Sequence, residues 1–168
     1  MPNRLGILEK GGLRLVRILR SGELAEPLKL TEFGQTVIQP TIDNYPDGEG
    51  EPEWPCYALA LDELAVGGGG YKSPPAGGEV EIAYFTAPEF EGRGYAGQTA
   101  RLLIARAWRT NPTLTVTAET LMEENASVKL LRRIGFEQTE VRVDPDEGIE
   151  VWHWKLRPAA AAGRNLGS

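Results

Sequence analysis

Apolar and polar positions along the chain predict a series of short strands and amphipathic helices. GLRLVRI at residues 12–18 interleaves apolar and basic positions well enough for a first strand, and the mixed segment from Ser21 to Gln35 predicts one or two short helices. From Gln39 to Pro55 the run QPTIDNYPDGEGEPEWP combines four prolines with acidic residues and glycines, so an exposed loop is expected there, bordering the substrate site. CYALALDELAVGGGGYKS then reads as two strands joined at Asp62-Glu63, and GGEVEIAYFTA as a third with Val80, Ile82 and Tyr84 alternating. Together these three predict an antiparallel meander.

The second half alternates helix and strand. A helix is expected from about Tyr95 to Arg109, because Ala96, Ala100, Leu103, Ile104 and Ala107 share one face, and Asn111-Pro112 ends it. TLTVTAE is a strand. EENASVKLLRRIGF is a helix capped by Asn125 and stopped by Gly135, with Val128, Leu131 and Ile134 as its buried stripe. EQTEVRVD and IEVWHWKL, separated by Pro145-Asp146-Glu147-Gly148, predict a closing hairpin.

Composition narrows the class. A chain of 168 residues, 41% hydrophobic and 25% charged, suits one globular domain with a substantial core. We expect that domain over residues 1–157, followed by a disordered tail at 158–168. The start lacks a signal-peptide stretch and no apolar run approaches membrane-spanning length, so a cytoplasmic protein without membrane contact is expected. Cys56 is the single cysteine, which rules out an internal disulfide and reads as a core residue rather than a nucleophile. The net charge of −6 disfavours nucleic acid, and Arg101, Arg106 and Arg109 read as a solvated helix face. One histidine and scattered acids show no metal-ligand spacing, so no metal is expected.

EGRGYAG at residues 91–97 satisfies G-x-G-x-x-G between a strand and a helix, where glycine backbone and helix N–H groups suit a phosphate. A dinucleotide fold puts such glycines directly after the strand, whereas Ala87-Pro88-Glu89-Phe90-Glu91 intervene here. GGGGYKS at 67–73 is no P-loop, because Tyr71 stands where a glycine is required and no helix follows. It reads as a strand with a glycine bulge or close packing.

Several motifs in order, VGGGGYKSPPAGGEVEIAYFTAPEFEGRGYAGQTARLLIARA and AETLMEENASVKLLRRIGF, resemble the GNAT superfamily of N-acetyltransferases, in the branch similar to ribosomal-protein N-terminal acetyltransferases. The resemblance covers Ala65 to Phe136 well and the first sixty residues poorly. It implies an α+β single domain, a twisted mixed sheet of about six or seven strands flanked by helices. It also implies acetyl-coenzyme A as cosubstrate, with Gly92, Arg93, Gly94, Tyr95, Ala96 and Gly97 around its pyrophosphate. Tyr84, Phe85 and Thr86 would pair with the pantetheine arm, and Asn125 and Ser127 would lie near the thiol. Glu91 departs from the family's Gln or Arg, placing an acid beside phosphates.

The implied reaction is direct attack of a primary amine, on a small molecule or a peptide N-terminus, upon the thioester. An amine with pKa of roughly 8–10 must first lose a proton. Glu119 is the first candidate base and Glu81 the second, either acting through water. Many relatives protonate the leaving thiolate with a tyrosine where this chain has Leu131, which leaves Ser127, a water or unassisted departure. His153, within VWHWKL, reads as a strand residue rather than a catalyst. The acidic loop could attract a cationic acceptor, with Trp54 as an apolar wall. A homodimer stays open, and the alternative reading is a non-catalytic acyl-coenzyme A binding or regulatory protein on the same fold, suggested by Glu91 and Leu131.

Overall fold

A computed structural model describes residues 13–158. Seven strands, β1 (Leu13–Arg17), β2 (Cys56–Leu61), β3 (Leu64–Tyr71), β4 (Glu79–Thr86), β5 (Thr115–Leu121), β6 (Glu137–Val143) and β7 (Glu150–Leu156), form one mixed sheet in the order β1-β2-β3-β4-β5-β7-β6. Three helices accompany them: α1 (Glu32–Asp43), α2 (Tyr95–Thr110) and α3 (Ala126–Ile134). The fold is therefore the α+β mixed sheet with flanking helices that the sequence suggested. Its contacts group into two compact units, residues up to 74 with 82–103 and residues 75–81 with 104 onward, so β4 and α2 each contribute to both.

In the first unit β1 to β4 form an antiparallel meander, and the β2–β3 turn is made possible by Asp62 at φ 54°. The β2–β3 register slips where Leu59 pairs with Gly67 and Ala60 with Ala65, leaving Val66 as a bulge residue at 0% exposure. Gly67 to Gly70 follow, and their lack of side chains is a steric requirement. A Cβ on Gly69 would come within 2.5 Å of the Ala83 carbonyl oxygen and 3.0 Å of the Thr99 methyl of α2. On the opposite face a Cβ on Gly68 would lie 3.1 Å from the Phe85 ring. The expected close packing of this strand is thus present.

Helix α1 corrects the sequence reading. It begins where Thr31 accepts a hydrogen bond from the Gly34 N–H at 2.9 Å, and it runs through Pro40 to Asp43. The expected loop starting at Gln39 therefore begins only after the helix, and the short helices expected within 21–35 reduce to the first turn of α1. Pro40 lies inside the helix, where it removes one N–H donor and its ring crowds the carbonyl of Thr36, four residues earlier. Past the helix, Tyr45 donates to the Ile18 carbonyl at 2.8 Å and accepts from the Cys56 N–H at 2.9 Å, and burial pushes its pKa up to about 12. Arg20 holds the acidic loop, donating to the carbonyls of Gly50 and Pro46 at 2.9 and 2.7 Å. Trp54, half-exposed, packs edge-on against Tyr71 with ring centres 4.9 Å apart. Cys56 is half-buried at the start of β2 rather than part of the core, and burial of its thiol raises its pKa to about 11.

In the second unit β4 pairs parallel with β5 from Glu79↔Thr115 to Glu81↔Thr117. The closing hairpin forms as expected, but β7 inserts between β5 and β6. Trp154, 1% exposed, anchors this unit and donates its indole N–H to Thr120 Oγ1 at 2.9 Å. Asn125 caps α3 through the Val128 N–H at 2.9 Å, and Gly135 ends it at φ 116°. Val128 and Leu131 are buried, whereas Ile134, also expected in the stripe, is only half-buried beside the Gly135 cap. Ala100, Leu103, Ile104 and Ala107 of α2 are all at 0% exposure, and Ala96 of the same expected face is half-buried. Among the described residues no helix is long and apolar enough to cross a membrane. The tail expected at 158–168 lies, beyond Pro158, outside the described residues.

Gly69→Val should lower stability by about 1–3 kcal/mol, because the added side chain meets backbone as well as Thr99. Chemical denaturation checks this; an unchanged midpoint would refute the packing account.

Candidate active site

The first unit carries the glycine turn. Strand β4 ends at Thr86, a single 3-10 turn spans Pro88–Phe90, and Glu91 follows in extended conformation and exposed. Gly92 and Gly94 then take φ of +79° and +82°, a region that strains any residue with a side chain. Nothing lies within 4 Å of where either Cβ would stand. The chain enters α2 at Tyr95, and Gln98 N–H donates to the Gly94 carbonyl at 3.2 Å. The preceding amides at the start of a 16-residue helix have no intrahelical acceptors and carry the positive end of its dipole. Arg93 is exposed with its guanidinium 5.5 Å from the Phe90 ring centre. This turn can hold an anion by backbone donors alone.

Tyr84, Phe85 and Thr86 lie half-buried at the end of β4, opposite Gly69, Gly68 and Gly67. The β4–β5 register stops at Glu81↔Thr117, while β4 itself continues to Thr86. Phe85 meets Phe33 of α1 edge-on at 5.5 Å and helps line a small apolar pocket with Ile18, Leu30, Val37 and Ile38.

The second unit brings together both candidate bases. Pairing of Glu81 with Thr117, and of Glu119 with His153, puts the two carboxylates on one sheet face. His153 Nδ1 stands 3.8 Å from Glu119 Oε1, with the two side chains 1% and 14% exposed. Burial is the main cause that lowers the His153 pKa below its ordinary value, and Arg142 adds to it; Glu81, Glu140 and Glu79 oppose it. Asn125 spends its amide oxygen on the α3 cap, and Ser127 is half-buried in the first turn. Leu131 is fully buried, so that position packs the core. His153 is a strand residue, as expected, but a buried one, and sequence reasoning missed its proximity to Glu119. Alternation in VWHWKL puts it opposite Trp152 and Trp154, a signal for its face but not for its depth.

The match to the family model for the acetyltransferase (GNAT) domain covers residues 27–137. The chain belongs to the GNAT acetyltransferase family. That span begins well before Ala65, so the family pattern includes α1. Comparison by sequence with curated proteins finds no match. Among solved structures the fold is similar to RimL, a ribosomal L7/L12 alpha-N-protein acetyltransferase in complex with coenzyme A, with 16% identity and a TM-score of 0.58 over 77% of this chain and 73% of that one. It is also similar to a ribosomal-protein-alanine N-acetyltransferase from Brucella melitensis, with 20% identity and a TM-score of 0.53 over 62% and 68%. A third is yncA from Salmonella typhimurium with its cofactor acetyl-CoA, with 18% identity and a TM-score of 0.53 over 62% and 65%.

A buried histidine with a lowered pKa resists protonation in the folded state, so the unfolded chain takes up the proton first as pH falls. Its contribution is complete above the ordinary histidine value of 6.5 and declines as pH drops below it. Thermal melts from pH 8 to pH 5 should therefore show a steeper loss of Tm for the native protein than for His153→Asn, and parallel curves would contradict this.

Proposed function

We propose that the protein transfers the acetyl group of acetyl-coenzyme A to a primary amine by direct attack on the thioester. The observation that carries this reading is the turn Gly92–Gly94, left-handed at both glycines and open around both, leading into α2. Backbone N–H groups of Gly92 to Gly97 would hold the pyrophosphate, and the end of β4 at Tyr84, Phe85 and Thr86 would run beside the pantetheine arm. Glu91 is exposed and leaves the main-chain donors intact, so it weakens phosphate binding without removing it.

Glu119 serves in this reading as the base, directly or through water, with Glu81 as the second carboxylate on the same face. Asn125 fixes the start of α3, and Ser127 in its first turn, or a water, returns a proton to the thiolate. That thiolate has an ordinary pKa near about 8.5 and departs readily even unassisted. A net charge of −6 suits a cationic acceptor, and the resemblance to ribosomal-protein N-terminal acetyltransferases makes peptide N-termini the first acceptors to screen. The second reading, a non-catalytic acyl-coenzyme A binding module, draws on Leu131, which is buried where relatives carry a proton donor.

Calorimetric titration with acetyl-coenzyme A, coenzyme A and NAD separates these cases. Both coenzyme A species should bind and NAD should not. Gly94→Val, strained at φ +82° and filling the open space, should weaken coenzyme A binding about tenfold or more with the circular dichroism unchanged. Undiminished affinity would sink the phosphate assignment. Thiol release with amines then decides between enzyme and binding module.

A further inference from the structure

Three buried side-chain atoms without a hydrogen-bond partner belong to one pair of residues: Glu119 Oε2 and both ring nitrogens of His153. Leaving such groups unsatisfied is costly, and an apolar residue at 153 would avoid most of that cost. Cross-strand pairing nonetheless sets His153 of β7 directly beside Glu119 of β5. It is the one histidine in the chain.

We propose that His153 positions and tunes Glu119, the two acting as a single proton-accepting unit across β5 and β7. This rests on the acetyl-transfer reading above. Neutral imidazole with its proton on Nδ1 would donate to Glu119 Oε1 once the carboxylate turns to close the 3.8 Å separation, and the same turn would bring Oε2, buried without a partner here, toward the acceptor to receive its proton. An ammonium acceptor gives one proton to Oε2. The free amine then attacks the acetyl carbonyl, the C–N bond forms and the C–S bond breaks. The second nitrogen proton passes to the departing thiolate, and the proton on the pair returns to solvent.

Charged groups on four strands surround His153 among the described residues. Glu119 lies on β5, Glu79 and Glu81 on β4, Glu140 and Arg142 on β6, and Lys155 two residues along β7, where its ammonium is 2.6 Å from Glu79. Arg142 is itself held by Glu140 at 2.6 Å. A histidine with a purely ionic role among four carboxylates would be expected to have a raised pKa, yet burial lowers this one and so favours the neutral form, able to take up a proton.

The single histidine makes the test direct, because its ring resonances need no assignment. Proton NMR titration of the native protein and of Glu119→Gln should show the His153 midpoint moving downward when the carboxylate charge is removed; an unmoved midpoint would overturn the pairing. In steady-state acetylation, His153→Asn keeps an N–H near the Nδ1 position and should lose about tenfold in kcat, with the KM for acetyl-coenzyme A unchanged and the acid limb of kcat/KM displaced to lower pH. His153→Phe should lose more, and the Asn variant's partial rescue marks the hydrogen bond rather than the packing. Glu119→Gln with His153→Asn should be no slower than Glu119→Gln alone. Multiplying losses would overturn the unit while leaving the acetyl-transfer reading intact. A native protein that binds acetyl-coenzyme A but acetylates no amine would bring down that reading, and this inference with it.

Discussion

The absence of side chains along four residues of β3 sets the position of much of what surrounds them. On one face Thr99 of α2 rests against Gly69, and on the other the Phe85 ring rests against Gly68. Tyr71, immediately after the strip, reaches the Leu103 carbonyl with its hydroxyl at 2.6 Å, so α2 is held at two levels one turn apart. Glycine in a strand gives up about 0.5–1 kcal/mol relative to alanine, four times over here. Close approach of helix and strand offsets that loss, with Ala100 and Leu103 wholly buried as a result. Because α2 begins directly after Gly94, the placement of the glycine turn depends on atoms missing from a strand some twenty-five residues earlier.

Legibility in the sequence followed how local each determinant is. Helices α2 and α3 were readable because periodicity, the Asn125 cap and Gly135 all lie within the segments they define. The meander was readable from alternation and from the short Asp62-Glu63 connection. Helix α1 was misjudged because Pro40 carries a strong breaking signal, whereas the Thr31 cap and the contact of Phe33 with Phe85 favour helix. The insertion of β7 between β5 and β6 had no local signature, since hairpin residues specify their mutual pairing and not which of them meets a third strand.

Within the candidate site the same division holds. The glycine turn was visible as a motif because positive φ restricts residue choice at Gly92 and Gly94. The environment of His153 was hidden because burial depends on neighbours drawn from β4, β5 and β6. Glu119 was picked out as a strand-end acid, but its partner lies more than thirty residues away in the chain. Chemistry built on cross-strand pairs is therefore the part that a linear reading misses first.

The strand order has a consequence for how the sheet is completed. Strand β5 follows its partner for one edge, β4, in the chain, but its other partner, β7, comes about thirty residues later, after both α3 and β6. Until β7 pairs, an apolar edge containing Val116 and Ala118 stays open, and it closes only when Trp154 arrives opposite Ala118. Trp154 thus both closes the second edge of β5 and fills the core beneath it, so one residue near the end of the sheet's chain order completes pairing and packing together.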